Sequence, residues 1–281
     1  MFRVEKMKPR DFSFVVNLTN TMGWNMAESD MKFMSNLEPD GCFVLFQGQE
    51  PMGVATCISY GKTGWFGTLA VKEECRKRGA GTFLVKHAVE YLKSKGVETI
   101  GLYAYSHLVD FYGKLGFESR GDFALFSGEP SPPFTRYVDF QTTKPKDIRT
   151  LIEFDDRCLG WNRKKLLEPI LLDKENLCFF SHENNEVVGF VAAKVYAKMA
   201  EIGPLICRRT RGSVGVDLLN TILNKLRNID SYICVPLEEE EAILETLRGA
   251  GLKENFRLTR MFLGAVTAQK CVYLPESMER G

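Results

Sequence analysis

The tripeptide Gly-Trp-Asn occurs twice in this chain, at Gly23–Asn25 and Gly160–Asn162, and takes up two of its three tryptophans. Trp161 follows Trp24 by 137 positions in a chain of 281 residues. Other landmarks recur in the same order at nearly the same spacing. Cys42-Phe43 returns as Cys178-Phe179, and Gly53 in EPMGVAT as Gly189 in EVVGFVA, each 136 positions on. Gly67 and Leu69 in WFGTLAV return as Gly203 and Leu205 in EIGPLIC at the same offset of 136. Leu115-Gly116-Phe117 is answered by Ala250-Gly251-Leu252 at 135. One tripeptide can recur by chance, but ordered landmarks within two positions of one offset mark a duplicated unit. The chain must therefore fold as two copies of one domain, 1–140 and 141–281, each of ordinary domain size. They join through the proline-rich SGEPSPPF (Ser127 to Phe134), a poor helix former.

Each unit alternates strand and helix patterns. In the first, MFRVEKMK alternates as an edge strand, and RDFSFVVNLTNTMG reads as a helix capped by Asp11 and stopped near Gly23. CFVLFQG, a turn at Gln49 to Pro51, MGVATCISY and WFGTLAV read as an antiparallel meander. AGTFLVKHAVEYLKSKG is amphipathic, with Phe83, Leu84, His87, Ala88, Tyr91 and Leu92 along one side and Gly96 as its stop. The strand TIGLYAY, a short helix HLVDFYGKLG and a last strand DFALFSG complete the unit. The expected class is α/β (α+β), with a mixed, largely antiparallel sheet flanked by helices, twice over.

Composition removes several functions. A net charge of +1 leaves no surplus of Lys and Arg to neutralise a phosphate backbone, which argues against a nucleic-acid partner. No apolar run approaches the roughly 20 residues of a membrane helix, and the N-terminus lacks a signal-peptide core. The eight cysteines are scattered without a CxxC, and His182, four positions after Cys178, has no second ligand pair beside it. They read as free, mostly buried thiols of a reducing compartment, with the cytoplasm as the expected location and no metal.

The stretch that carries chemistry is VKEECRKRGAGTFL, Val71 to Leu84. Arg76-x-x-Gly79-x-Gly81 alone is a short motif, and an isolated match is most often a tight strand-to-helix turn. Here a strand precedes it and a helix begins inside it. Gly79 and Gly81 clear side chains from the backbone, and the N–H groups and dipole of the helix start favour an anion such as a pyrophosphate. Arg76, Lys77 and Arg78 add positive charge.

LAVKEECRKRGAGTFL resembles the acyl-CoA signature of the GNAT superfamily of N-acetyltransferases, and FYGKLGF (Phe111 to Phe117) resembles the Tyr-x-x-x-Gly-Phe element that closes the same site. More narrowly, MGWN, PDGCF, WFGTLAV and the second-half IGPL … RM (Ile202 to Leu205, Arg260-Met261) resemble a subgroup with a second acetyltransferase-like domain formerly of unknown function. The resemblance implies acetyl-CoA as cosubstrate. Leu69, Ala70 and Val71 would hold the pantetheine arm on a splayed strand, with the Val71 N–H polarising the thioester carbonyl. Arg76, Lys77, Arg78, Gly79, Ala80, Gly81 and Thr82 would hold the pyrophosphate. Tyr112 would lie near the sulfur, either protonating the departing thiolate or merely packing against the cofactor arm.

The resemblance does not supply a base. Some family members carry a Glu on the strand before the phosphate loop, where this chain has Trp65. His107 and Asp110, a water chain, Asp30 and Asp40 stay open. Trp24, Asn25 and Trp65 are the expected contacts of a small-molecule amine, although the Trp161-Asn162 copy also fits a packing role. The second half has GSVGVD (Gly212 to Asp217) opposite the phosphate loop and Leu247 opposite Tyr112. It reads as a fold retained without the cofactor site, walling the acceptor pocket as an internal dimer partner. A monomer with an internal pseudo-dimer, or a homodimer, follows. The leading expectation is an N-acetyltransferase acting on a primary amine. The rivals are a non-catalytic acyl-CoA-binding sensor and a scaffold that binds no acyl-CoA.

Overall fold

The computed structural model describes residues 2–132, 138, 140–196, 199–238, 240–266 and 271–281. Pro133 and Phe134, the end of the expected joint, lie outside them. The first half runs β1 (Phe2–Lys6), α1 (Phe12–Asn20), α2 (Glu28–Leu37), β2 (Cys42–Gln47), β3 (Glu50–Tyr60), β4 (Thr63–Val71), α3 (Ala80–Ser94), β5 (Thr99–Tyr105), α4 (Val109–Gly113), β6 (Glu118–Gly128). The second repeats the order as β7 (Gln141–Thr142), α5 (Ile148–Leu159), α6 (Lys164–Leu172), β8 (Leu177–Glu183), β9 (Glu186–Tyr196), β10 (Met199–Arg208), α7 (Gly212–Lys225), β11 (Asp230–Pro236), α8 (Glu241–Gly249), β12 (Lys253–Leu263). A further strand, β13 (Cys271–Leu274), and a tail over 275–281 follow.

Local chemistry explains the element ends. The glycine of each Gly-Trp-Asn turns left-handed after its helix, Gly23 at φ +76° and Gly160 at φ +80°, a backbone shape that costs glycine least. Asp11 stands at the start of α1, but its carboxylate accepts the Lys8 N–H at 2.8 Å and closes the turn before the helix instead of capping it. Helix α2 has no strong apolar stripe, burying only Met31 and Met34. Asp30 fixes its start by accepting the Ala27 N–H at 2.8 Å. All eight cysteines are free; seven are buried and Cys158 is half-buried.

The sheet is continuous through both halves, in the order β1-β2-β3-β4-β5-β12-β6-β11-β10-β9-β8-β7, with β13 paired to β10. Among the described residues only β4–β5 and β10–β11 pair in parallel; the other ladders are antiparallel. The sequence reading closed each unit with its own last strand. Instead the halves exchange them. Strand β12 lies against β5 from Leu258↔Tyr105 to Leu263↔Ile100, and β6 lies against β11 from Ser231↔Gly128 to Pro236↔Phe123. The exchanged strands pair with each other at the centre, from Lys253↔Ser127 to Phe262↔Glu118. Equivalent strands satisfy equivalent ladders, so the exchange loses no pairing and joins two edges that would otherwise be open.

Helix α3 covers one face of the first half with Leu84, Val85, Ala88 and Leu92, and α7 with α8 covers the matching face of the second. On the opposite face, residues of α1 and α2 share one apolar layer with those of α5 and α6. That shared layer fixes the two halves to each other.

Candidate active site

Strand β4 is followed by β3 to Thr56↔Gly67, and the register then slips before Val54↔Ala70 and Gly53↔Val71. Thr68 takes φ +50° in this bulge, its hydroxyl 3.0 Å from that of Thr56. On the other side β4 pairs with β5 only from Thr63↔Thr99 to Trp65↔Gly101. Beyond that point the strands part, leaving a wedge with Gly67 to Val71 along one edge. Arg76 Nε reaches the Val71 carbonyl at 3.0 Å, so that carbonyl faces outward. The N–H and C=O of one strand residue point to the same side, which turns the Val71 N–H into the wedge as well.

The wedge leads to the start of α3. Lys77 at φ +58° and Gly79 at φ +85° wind the loop into the helix. The first helical bond runs from Phe83 N–H to Gly79 O at 2.9 Å, and the N–H groups of Ala80, Gly81 and Thr82 have no backbone partner among the described residues. Arg76, Lys77 and Arg78 are exposed around them. The two glycines differ in purpose. Gly79 supplies the left-handed turn, whereas a Cβ on Gly81 would meet the Phe111 ring at an ordinary 3.5 Å.

Tyr112, on α4, is 4% exposed and packed edge-on against Phe66, Phe111 and Phe117 at 6.5, 5.0 and 5.9 Å. Burial pushes its hydroxyl well above the ordinary tyrosine range, so it keeps its proton at any working pH.

On the face opposite α3, Trp24 is half-buried and its Nε1 donates to the Tyr105 hydroxyl at 2.9 Å. Asn25 is exposed at φ +51°. Trp65 requires a correction. At 1% exposure it is core, not pocket wall: it lies on Gly101, touches Phe262 and Tyr103, and donates Nε1 to the Met278 carbonyl at 3.3 Å. The tail over 275–281 covers it. Arg163, fully buried beside the second Gly-Trp-Asn, ties the tail down by donating to the Gly281 carbonyl at 2.7 Å while paired with Asp155 at 2.6 Å. The other open candidates have separate roles. Asp40 pairs with Lys6 at 2.7 Å on the surface, Asp30 caps α2, Asp110 sits in the first turn of α4, and His107 stacks on Tyr105 at 5.8 Å. No local pattern in the sequence signalled that residues 275–281 return to β4.

Two family models match the chain. The acetyltransferase (GNAT) family model covers residues 11–117, and an acetyltransferase (GNAT) domain model covers 151–272. The chain belongs to the GNAT superfamily. An uncharacterised N-acetyltransferase of Methanocaldococcus jannaschii is 28% identical over 99 residues, 32% of this chain and 44% of that relative, so the match spans less than half of the relative. A crystal structure of a putative acetyltransferase from Pyrococcus horikoshii superposes with a TM-score of 0.82 at 23% identity, over 100% of this chain and 96% of that one. A tandem GNAT protein from the clavulanic acid biosynthesis pathway superposes with a TM-score of 0.61 at 13% identity, over 96% of this chain and 100% of the other. At these identities the likeness is one of fold.

The two GNAT halves differ at the wedge. In the second, β10 pairs with β11 from Met199↔Asp230 to Ile202↔Ile233 and then parts from it as β4 does from β5. Here β13 fills the opening, from Leu205↔Leu274 to Arg208↔Cys271. Helix α7 starts at Gly212, and the basic turn before it is engaged, with Arg208 on Glu186 at 2.6 Å and Arg211 on Glu183 at 2.9 Å. Leu247 is fully buried in the core. Acetyl-CoA, which GNAT enzymes use, fits the first half. An extended amide arm can pair with the open edge of β4, and phosphates can meet the loop, the α3 N–H groups and three cations. Among the described residues the second half offers no such edge, because β13 occupies it. Asn162 instead lines a cleft of about 410 Å³ between the halves, with Ser59, Tyr60, Gly61, Lys164 and Lys165.

Proposed function

We propose that this protein moves an acetyl group from acetyl-CoA to the primary amine of a small molecule, using one cofactor site in the first half. The observation that carries this reading is the contrast between the wedges: open beside β4, filled by β13 beside β10. Leu69, Ala70 and Val71 hold the cofactor arm, and residues Arg76 to Thr82 hold the phosphates. The Val71 N–H stabilises negative charge developing on the acyl oxygen. Tyr112, held neutral by burial, donates a proton to the leaving sulfur. The half-buried Trp24–Tyr105 pair is a wall suited to an apolar or aromatic amine, and the second half at the same face leaves little room for a folded protein acceptor.

Calorimetric titration with acetyl-CoA, beside Gly81→Trp, tests the site. Binding in the micromolar range that the substitution abolishes, followed by thiol release with a primary amine, is the expected result. Binding without thiol release for any amine would make the protein an acyl-CoA sensor, and absence of binding would leave a scaffold.

A further inference from the structure

Neither β4 nor β5 carries a carboxylate along the wedge, yet the fold brings one there. We infer that Glu279, on the tail beyond β13, receives the acceptor amine as its ammonium and removes its proton; this rests on the functional reading above.

Gly67 marks the apex of the wedge, where β4 and β5 part. A Cβ at Gly67 would lie 2.6 Å from the Glu279 carbonyl oxygen and 2.7 Å from its Cα, so the tail backbone rests directly on β4. Its position is fixed from both sides. Met278 O accepts from Trp65, and Arg280 O accepts from the Tyr60 hydroxyl at 2.8 Å. The Arg280 guanidinium is taken up by Glu276 at 2.9 and 3.2 Å. Between these anchors the Glu279 side chain is half-exposed, and its carboxylate enters no hydrogen bond or ion pair among the described residues. Its charge bears on the Tyr105 hydroxyl, which Trp24 also contacts, and on Cys234 and Arg280, so the carboxylate stands within electrostatic reach of the Trp24–Tyr105 wall.

Nearby carboxylates are engaged elsewhere. Glu38 holds Lys165, Tyr91 and the Ser59 N–H. Glu201 and Glu276 share Lys194. Glu279, which no hydrogen bond or ion pair among the described residues engages, keeps capacity for a cation.

Glu279 accepts one proton from the ammonium and passes it to solvent. The freed nitrogen lone pair forms the C–N bond to the acetyl carbon as the C–S bond breaks. Tyr112 gives its proton to sulfur and regains one when the nitrogen sheds its second. The products are the amide, the free thiol and one proton in solution.

The test compares wild type with Glu279→Gln in thiol release from acetyl-CoA. The nucleophiles are a panel of primary alkylamines and arylalkylamines, and hydroxylamine, which is unprotonated at neutral pH. Expected is a fall of about 100-fold in kcat with the best amine but less than about threefold with hydroxylamine. The calorimetric affinity for that amine, measured with CoA present, should fall about tenfold. Glu279→Asp should recover part of the rate, and acetyl-CoA affinity and the unfolding midpoint should stay unchanged. Equal losses with both nucleophiles, or no loss, would overturn the inference while wild-type transfer keeps the functional reading. A wild type that binds no acetyl-CoA, or releases no thiol with any nucleophile, removes the functional reading and this inference with it.

Discussion

Gly67 and Gly203 are the same position in the two halves, and the backbone of the tail lies across both, Glu279 on the first and Pro275 with Glu276 on the second. A side chain at either place would strike main chain, which cannot swing aside. Gly67→Ala should therefore lift the tail from β4, at a cost of about 1–3 kcal/mol in denaturant unfolding, and lower acetyl transfer although it leaves Glu279 itself unaltered. Tyr112→Phe isolates a hydroxyl in a packed ring cluster. It should lower turnover about 100-fold with acetyl-CoA affinity retained in calorimetry. Both glycines were visible in the sequence as repeat landmarks. Their reason was not, because what they make room for lies up to 212 positions further on. Trp65 was misread for the same cause: nothing near it announces the cover that turns it from wall into core.

The elements divide along the same line. Strands β2 to β5 were legible as short apolar runs bounded by turn residues, because both faces of the sheet are covered, and helix α3 by the periodicity of its one buried face. Helix α2, which buries two methionines, gave little periodic signal. The exchange of β6 and β12 was illegible in principle, since either strand satisfies either ladder and only the joined halves choose. In the tail, Glu276 is held by Arg280 and Lys194. Burial pushes its carboxyl up, but the two cations outweigh burial and bring it down from 4.5 to about 2. A carboxyl depressed by folding adds stability that is complete above its unfolded value and is lost as pH falls through its folded one. That contribution should thus disappear as pH falls from about 4.5 toward 2. Glu276→Gln should be less stable at neutral pH, with two buried cations short of a partner, and should show a shallower acid slope in urea unfolding at a series of pH values.

At the scale of the molecule, neither half owns a complete sheet. A fragment of residues 1–140 would expose the edge of β5 that β12 covers, and its β6 would have no β11 to join. Two such fragments can cure both defects by lending β6 to each other. The fragment should therefore run as a dimer in light scattering coupled to size exclusion; a folded monomer would show that β6 can return to β5 within one half.

The strand that fills the second wedge is a competitor that never dilutes. A short tether holds an occupant at an effective concentration of order millimolar, which a free acyl-CoA at micromolar levels cannot match. Each chain would then register acetyl-CoA once, and titration should saturate at one molecule per chain along a simple hyperbola, however symmetric the two halves look. On the proposed reading, the duplication leaves one reader of the acyl-CoA pool and one half answered from within.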